Sequence, residues 1–289
     1  MTDRSEAQKV VLITGAAKRL GREVALKFAR SGWDVAIHYH RSGADAERTL
    51  AELQQIGVRC TTVGGDLADP EAPLAVFKQT TDALGRVDAI VNNASLFEFD
   101  DPKTFSVTSL HAHIMPNLAA PLLLAQQLAA HIETRSNAQG VVINLLDQKL
   151  WSYNPDFFSY TLTKAALQAA TTMLAQAFAP RLRVVGVAPG LTLPSHMQSE
   201  ADFERTHALS PLGKASSPED IARAILFAAE TPSMTGTSIV VDGGQHLLGL
   251  QRAGEQRDPP LPVAARLDRV PRIDRKVHDH LFQLLRIGA

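Results

Sequence analysis

The chain has 289 residues, of which 45% are apolar and 20% charged, with a formal net charge of -1. At about 150 residues per domain that length holds one large or two small domains, and the composition excludes a mostly disordered chain. The near-zero charge excludes a whole-protein basic field for nucleic acid, although not a local patch.

In chain order, Met1–Lys9 is polar, and the apolar run Val10–Ile13 is far too short for a signal-peptide core. No stretch approaches the roughly 18–20 apolar residues of a membrane span. A cytoplasmic protein with no membrane partner is the expectation. Apolar runs predict strands at Val10–Thr14, Asp34–Tyr39, Val58–Gly64, Ala89–Asn92, Val141–Leu146, Arg183–Ala188 and Ser238–Val241. Amphipathic segments between them predict helices near 20–31, 44–56, 71–84, 107–131, 158–178 and 217–230. Strands spaced by helices imply βαβ units, hence an α/β fold with a doubly wound parallel sheet of seven strands. Most of these strands are apolar without alternation, as expected where helices cover both sheet faces. One domain, residues 1–250, accounts for them all.

Two regions break the rhythm. The loop 190–212, with His196 and Met197, follows a strand C-terminus, where open α/β sheets place ligands and their lids. The tail, residues 251–289, has four prolines, eight Lys/Arg and five Asp/Glu, and Val277–Ile287 suits one amphipathic helix. The single cysteine, Cys60, cannot form an internal disulfide, and its apolar-leaning strand predicts a buried, inert thiol.

The first strand runs through Thr14-Gly15-Ala16-Ala17-Lys18-Arg19-Leu20-Gly21 into a helix. Such a turn presents backbone N–H groups and a helix N-terminus to a pyrophosphate. Arg19 stands where the usual three-glycine form has its middle glycine, and adds a cationic donor. The second strand ends His38-Tyr39-His40-Arg41-Ser42, with no Asp or Glu for a ribose 2′-hydroxyl. Arg41, Ser42 and His40 suit a 2′-phosphate instead, which argues for NADPH over NADH. His38 and His40 share a strand face that a metal could use, but no third ligand stands out, and no metal is expected.

Tyr160 and Lys164 are four apart on a predicted helix, so both side chains share a face. An ammonium beside a phenol lowers the phenol's pKa and prepares it for proton transfer near neutral pH. Alone, the pair is more often a plain exposed helix pair. Here it joins Asn92-Asn93-Ala94 after the fourth strand, Asn117 in the next helix and Pro189-Gly190 after the sixth strand.

With the glycine turn, these motifs in this order resemble the short-chain dehydrogenase/reductase family over residues 9–250. The resemblance implies a Rossmann-type sheet, NAD(P) binding, hydride transfer and, usually, a homotetramer. It implies catalytic roles for Asn117, Tyr160 and Lys164, with Asn117 orienting Lys164 through a water. It extends the cofactor set beyond Gly15, Lys18, Arg19, Leu20, Gly21, His40, Arg41 and Ser42. The additions are Asp66, Leu67, Asn93, Ala94, Ser95, Tyr160, Lys164, Pro189, Gly190 and Thr192.

One position departs from the family pattern. The usual serine at the end of the fifth strand, thirteen residues before the tyrosine, is Asp147. A carboxyl can accept from ring N–H and amino groups, or deliver a proton if its pKa is raised. Together with Lys18-Arg19-Leu20, Ser95 and Phe97, this resembles the pteridine reductases of that family. In them an aspartate pairs with the tyrosine and a phenylalanine stacks on the pterin. That implies a pterin-like substrate touching Ser95, Phe97, Asp147 and Tyr160, reduced by NADPH. A non-pterin carbonyl substrate, or a catalytically silent NADP-binding protein, are the alternatives.

Overall fold

The computed structural model describes residues 8–193, 203, 207–214 and 216–248. The chain falls into two units, Met1–Arg252 and Ala253–Ala289. The second unit, and with it Val277–Ile287, lies outside the described residues, as do His196 and Met197. Among the described residues no helix is long and apolar enough to cross a membrane.

The strands are β1 (Val10–Ile13), β2 (Asp34–Tyr39), β3 (Cys60–Gly64), β4 (Ala89–Asn92), β5 (Gly140–Leu145), β6 (Leu182–Pro189) and β7 (Ser238–Val241). They form one sheet in the order β3-β2-β1-β4-β5-β6-β7, with every neighbouring pair parallel. The strand order reverses between β1 and β4, which opens the crevice where this class of sheet holds ligands. The helices are α1 (Arg19–Arg30), α2 (Gly43–Ile56), α3 (Ala72–Leu84), α4 (Val107–Ile114), α5 (Ala120–Glu133), α6 (Phe158–Phe178) and α7 (Pro218–Glu230).

The lack of alternation in the strands has a direct cause. Val11 and Ile13 of β1 pack in one core with Val24 and Phe28 of α1 and Ile225 of α7. Val10 and Leu12, on the other face, pack with Leu124 and Leu128 of α5 and Val76 of α3. Both strand faces are therefore buried, and every position is apolar. β3 lies at the sheet edge, which leaves Cys60 half-buried rather than buried; burial still raises the thiol pKa above its ordinary value.

The long helix expected over 107–131 is two helices. A π-helical segment, Met115–Ala119, separates α4 from α5. Pro116 and Pro121 sit where two regular helical donors would be, and neither has an N–H to give. The segment carries Asn117 inward, fully buried. Such insertions in helices occur often at functional sites.

Helix ends follow local chemistry. Ser217 and Asp220 form a capping box ahead of α7, with Pro218 in its first turn. Gly57 and Gly85 end α2 and α3 in the left-handed conformation.

Gly21 in α1 packs onto the turn before it. A Cβ there would lie 2.3 Å from the Gly15 carbonyl oxygen and 2.8 Å from Ala16 Cα. Backbone atoms cannot yield as a flexible side chain does, so Gly21→Ala is expected to cost about 2 kcal/mol. Thermal unfolding should show Tm lowered by about 4–8 °C; an unchanged Tm would contradict this packing.

Candidate active site

The site lies at the carboxyl ends of β1, β2, β4, β5 and β6. Thr14 ties two of them: its hydroxyl accepts from the Asn93 and Ala94 N–H groups at 2.9 and 3.0 Å. Asn93 Nδ2 returns bonds to the Thr14 and Gly15 carbonyls at 2.8 and 3.1 Å. Gly15 has φ +64°, a conformation open to glycine at little cost. The following helix α1 begins with no side-chain cap from Lys18 and no acidic residue in its first turn. Its first N–H groups and positive dipole end thus face the turn. Leu20 is half-buried and Arg19 exposed, with Arg19 at φ 54°. Lys18 is exposed and lies 3.7 Å from Asp45.

Beyond β2, Arg41 is exposed and forms no ion pair among the described residues. Ser42 precedes α2 without capping it. His40 Nε2 lies 3.4 Å from Asp66 Oδ2, both near the surface, and Leu67 is buried beside them in sequence. His38 engages backbone groups through both ring nitrogens. Its Nδ1 accepts from the Gly15 N–H, and its Nε2 lies 3.1 Å from the Gly65 carbonyl oxygen. Those partners require the neutral tautomer with hydrogen on Nε2. Burial, first, lowers its pKa to about 4, against the raising effect of the Gly65 bond.

Asp147, Tyr160 and Lys164 come together. Tyr160 OH donates to Asp147 Oδ2 at 3.0 Å, and Asp147 Oδ1 accepts from the Lys149 N–H at 2.8 Å. Lys164 Nζ donates to the Leu145 carbonyl at 2.8 Å and sits 5.6 Å from the Tyr160 ring centre. The expected lowering of the tyrosine pKa is overturned. Burial and the adjacent Asp147 carboxylate raise it well above 10. The reason is geometric: the phenolic oxygen's closest charge is a carboxylate, while the ammonium turns to a backbone carbonyl. Burial likewise raises Asp147 and lowers Lys164 to about 8, with Asp147 opposing the latter.

Asn117 does not reach Lys164 with its side chain. Its Oδ1 accepts from the Leu96 N–H at 2.7 Å and the Ser95 hydroxyl at 3.1 Å. Its Nδ2 donates to the Leu96 carbonyl at 2.9 Å and to Thr163 Oγ1 at 3.2 Å. Both lone pairs and both hydrogens are used, so no side-chain capacity remains for the expected water bridge. Asn117 instead holds the loop bearing Ser95, which is exposed, and Phe97, which is half-buried. Phe97 stacks on Phe157 with centroids 4.2 Å apart and meets Tyr160 edge-on at 4.7 Å.

On the far side, Pro189 ends β6 and the Gly190 N–H donates to the Val241 carbonyl at 3.0 Å. Thr192 Oγ1 donates to the Gly190 carbonyl at 2.8 Å. Gln245 Oε1 accepts from the Leu191 N–H at 2.8 Å, and a Cβ on Gly190 would lie 2.5 Å from it. Asp242 is buried and accepts from the Gly244 and His246 N–H groups at 2.8 and 2.7 Å. The motif reading missed Asp242 and Gln245; the signal for them is Gly243-Gly244 directly after the last apolar run.

A family model for short chain dehydrogenases matches residues 9–205. The chain belongs to the short chain dehydrogenase family. It is an oxidoreductase of that family, with relatives of varied specificity. It is 32% identical over 255 residues to an L-rhamnose 1-dehydrogenase (NAD(P)(+)) of Sphingomonas sp. (strain SKA58), covering 83% of this chain and 96% of that one. FolM alternative dihydrofolate reductase 1 from Brucella canis, solved in complex with NADP, is similar in structure with a TM-score of 0.80 and 37% identity. That match covers 87% of this chain and 98% of the other. The Brucella suis FolM alternative dihydrofolate reductase 1, also with NADP, matches at TM-score 0.76 and 37% identity, over 83% and 95% of the two chains.

His38 yields a prediction on stability. Its folded pKa of about 4 lies below the ordinary 6.5, so between those values the unfolded chain binds more protons. Stability contributed here is present above about pH 6.5, falls as pH drops, and levels off below about pH 4. Urea unfolding across that range should show the wild type losing about 3 kcal/mol more than His38→Asn. Parallel curves for the two proteins would remove His38 from the titration.

Proposed function

We propose that this chain is an NADPH-dependent reductase of pterin-like rings. The observation that carries the reading is Asp147 Oδ2 accepting from Tyr160 OH at 3.0 Å, a carboxylate where the family pattern has serine. The FolM neighbours support the substrate class.

The residues present fit the cofactor. Gly15, at φ +64°, and Gly21, packed on the Gly15 carbonyl, let the turn fold tightly, and the uncapped start of α1, with Lys18, Arg19, Leu20 and Gly21, would face the phosphates. Arg41 and Ser42 would hold a 2′-phosphate, with His40 and Asp66 beside it. Leu67, Asn93, Ala94 and Ser95 would line the adenine and ribose path; Tyr160, Lys164, Pro189, Gly190 and Thr192 would line the nicotinamide end. NADPH bound there supplies the hydride that adds to a ring C=N carbon.

The chain's own residues handle the proton and the ring. One face of Phe97 is covered by Phe157, so a flat heteroaromatic ring would take the other. Asp147 would accept from the ring's N–H and amino groups. The Tyr160 hydroxyl keeps its proton at neutral pH and gives it to the ring nitrogen. Loss of that proton beside an ionised Asp147 would set two negative charges side by side. Burial makes Asp147 a weaker acid than in water, and a proton taken up from solvent through it would restore the tyrosine hydroxyl, leaving one carboxylate near the Lys164 ammonium.

The sugar dehydrogenase relative favours a second reading, a carbonyl or alcohol substrate. An NADPH-oxidation screen with dihydrobiopterin, dihydrofolate, dihydromonapterin and simple ketones separates the two. Within it, Asp147→Ser should lower pterin turnover about 100-fold while NADPH affinity stays within about twofold. Pterin turnover at the wild-type rate in that variant would exclude the role of Asp147. For the cofactor, Arg41→Asp should raise the KM for NADPH about 10–100-fold and reduce the preference over NADH. Unchanged selectivity would remove Arg41 from the 2′-phosphate site.

A further inference from the structure

Helix α6 carries Tyr160 and Lys164, yet its start is not capped from its own sequence. Phe157, the residue before it, has φ 54° and no side-chain bond to the helix. The first N–H groups of a helix lack intrahelical partners and are ordinarily taken by a Ser, Thr, Asp or Asn just ahead of them. Here the acceptor comes from 59 residues away.

That acceptor is Asp100, a carboxylate only 4% exposed. Its Oδ1 accepts from the Ser159 N–H at 2.9 Å. Its Oδ2 accepts from the Ser159 hydroxyl in a short bond, and from the Ser109 hydroxyl of α4 at 3.3 Å. Its backbone carbonyl accepts from the Phe158 N–H at 3.1 Å. Phe158 and Ser159 are the first two residues of α6, so one residue serves both. A negative charge at this end also suits the helix dipole.

A local cap would satisfy the same N–H groups and leave the rest of the molecule untouched. The long-range cap does more. Asp100 closes the segment after β4 that bears Ser95 and Phe97, and Ser159 directly precedes Tyr160. The Phe97 ring lies edge-on to the Tyr160 ring at 4.7 Å and stacks on Phe157 at 4.2 Å. Asn117 anchors the near end of the same segment at Leu96. The segment is therefore pinned at both ends, and its far pin is the start of the helix that carries the phenol.

We infer that Asp100 is a positioning residue for the reaction: a long-range cap that holds Tyr160 in register with Phe97. It acts through Ser159 and the loop rather than by contact with reacting atoms, and the inference rests on Tyr160 as the proton donor. It does not depend on the substrate being a pterin.

The test compares full-length wild type, Asp100→Ala, Asp100→Asn and Ser159→Ala. Steady-state NADPH oxidation is followed with dihydrobiopterin and with an aromatic ketone. NADPH binding is followed by fluorescence, and folding by circular dichroism at the assay temperature. Asp100→Ala is expected to lower kcat about 10–100-fold, the cost of a small misplacement of a reacting group, with NADPH Kd within about twofold of wild type. Asn keeps an acceptor for the Ser159 N–H, so Asp100→Asn should return to within about threefold of wild type. A kcat within twofold of wild type in folded Asp100→Ala overturns the inference. So does a loss of turnover and NADPH binding together, in proportion to the unfolded fraction. Should Asp100→Ala not fold, Ser159→Ala decides: a lowered kcat with unchanged NADPH Kd supports the cap, and an unchanged kcat overturns it. A wild type that turns over the ketone but no dihydropterin rejects the pterin reading, and the same variants are then compared on the ketone.

Discussion

Asp147 and Tyr160 face each other at 3.0 Å between the end of β5 and the start of α6, and neither can change charge without disturbing the other. Burial raises both pKa values, because each charged form loses water that the protein replaces only in part. The stable arrangement is one shared proton chain carrying at most one negative charge. Lys164, itself buried, is the cation that balances that charge, and Asp147 holds its proton against the pull of burial. A serine in place of Asp147 would leave the ammonium as the dominant charge beside the phenol. The pair is better described as one titrating unit than as two residues.

The fold delivers that unit by stiffness at the strand ends. Asn92 Nδ2 donates to Asn144 Oδ1 at 2.8 Å, linking β4 to β5. Asn144 Nδ2 donates to Thr171 Oγ1 at 2.9 Å, linking β5 to α6. These buried amides cost stability unless paired, and pairing specifies one register between the sheet and the helix that carries Tyr160. Lys164 bonds the Leu145 carbonyl, the last residue of β5, so the ammonium is fixed to the same strand end as Asp147. At the other end of the sheet, arginines do comparable work without chemistry: Arg181 and Arg183 donate to backbone carbonyls at helix and loop ends.

What was legible in the sequence was local. The strand–turn–helix around Gly15 and Gly21, the Tyr160–Lys164 spacing and the apolar runs each span a few residues, and each took the expected form. What was not legible depends on residues far apart in the chain. Asp100 belongs to no motif in the sequence, and only the fold sets it on Ser159. His38 has no assigned role in the sequence until Gly15 and Gly65 engage both its nitrogens. Asn117 lies in a sequence of good helical periodicity, and only the two prolines beside it hint that the helix opens there. The tyrosine pKa failed for the same reason: spacing on a helix places Lys164 near the ring, but only the end of β5 decides which charge sits against the oxygen.

The two halves of the site obey different physics. The half proposed for the cofactor is open and carries N–H groups, Arg41 and a glycine turn, and the demands on it are those of any phosphate: donors, positive potential and close backbone approach. Those demands are met by short motifs, so a short motif is enough to recognise it. The substrate half sets Tyr160, Asn117 and Asp100 among packed side chains, where an unpaired polar group is expensive. Asp147, Tyr160, Asn117 and Asp100 therefore arrive already bonded to one another or to backbone. As a carboxylate, Asp147 has about four acceptor positions and uses two of them, for Tyr160 and Lys149, so it can accept from a further donor. Under the pterin reading proposed above, a ring would offer a flat face to Phe97 and N–H groups to that carboxylate; an aliphatic alcohol would offer one hydroxyl and no face. On the proposed pterin reading the discrimination lies in how many contacts each substrate adds, because Asp147 keeps its bond to Tyr160 while it accepts from the ring.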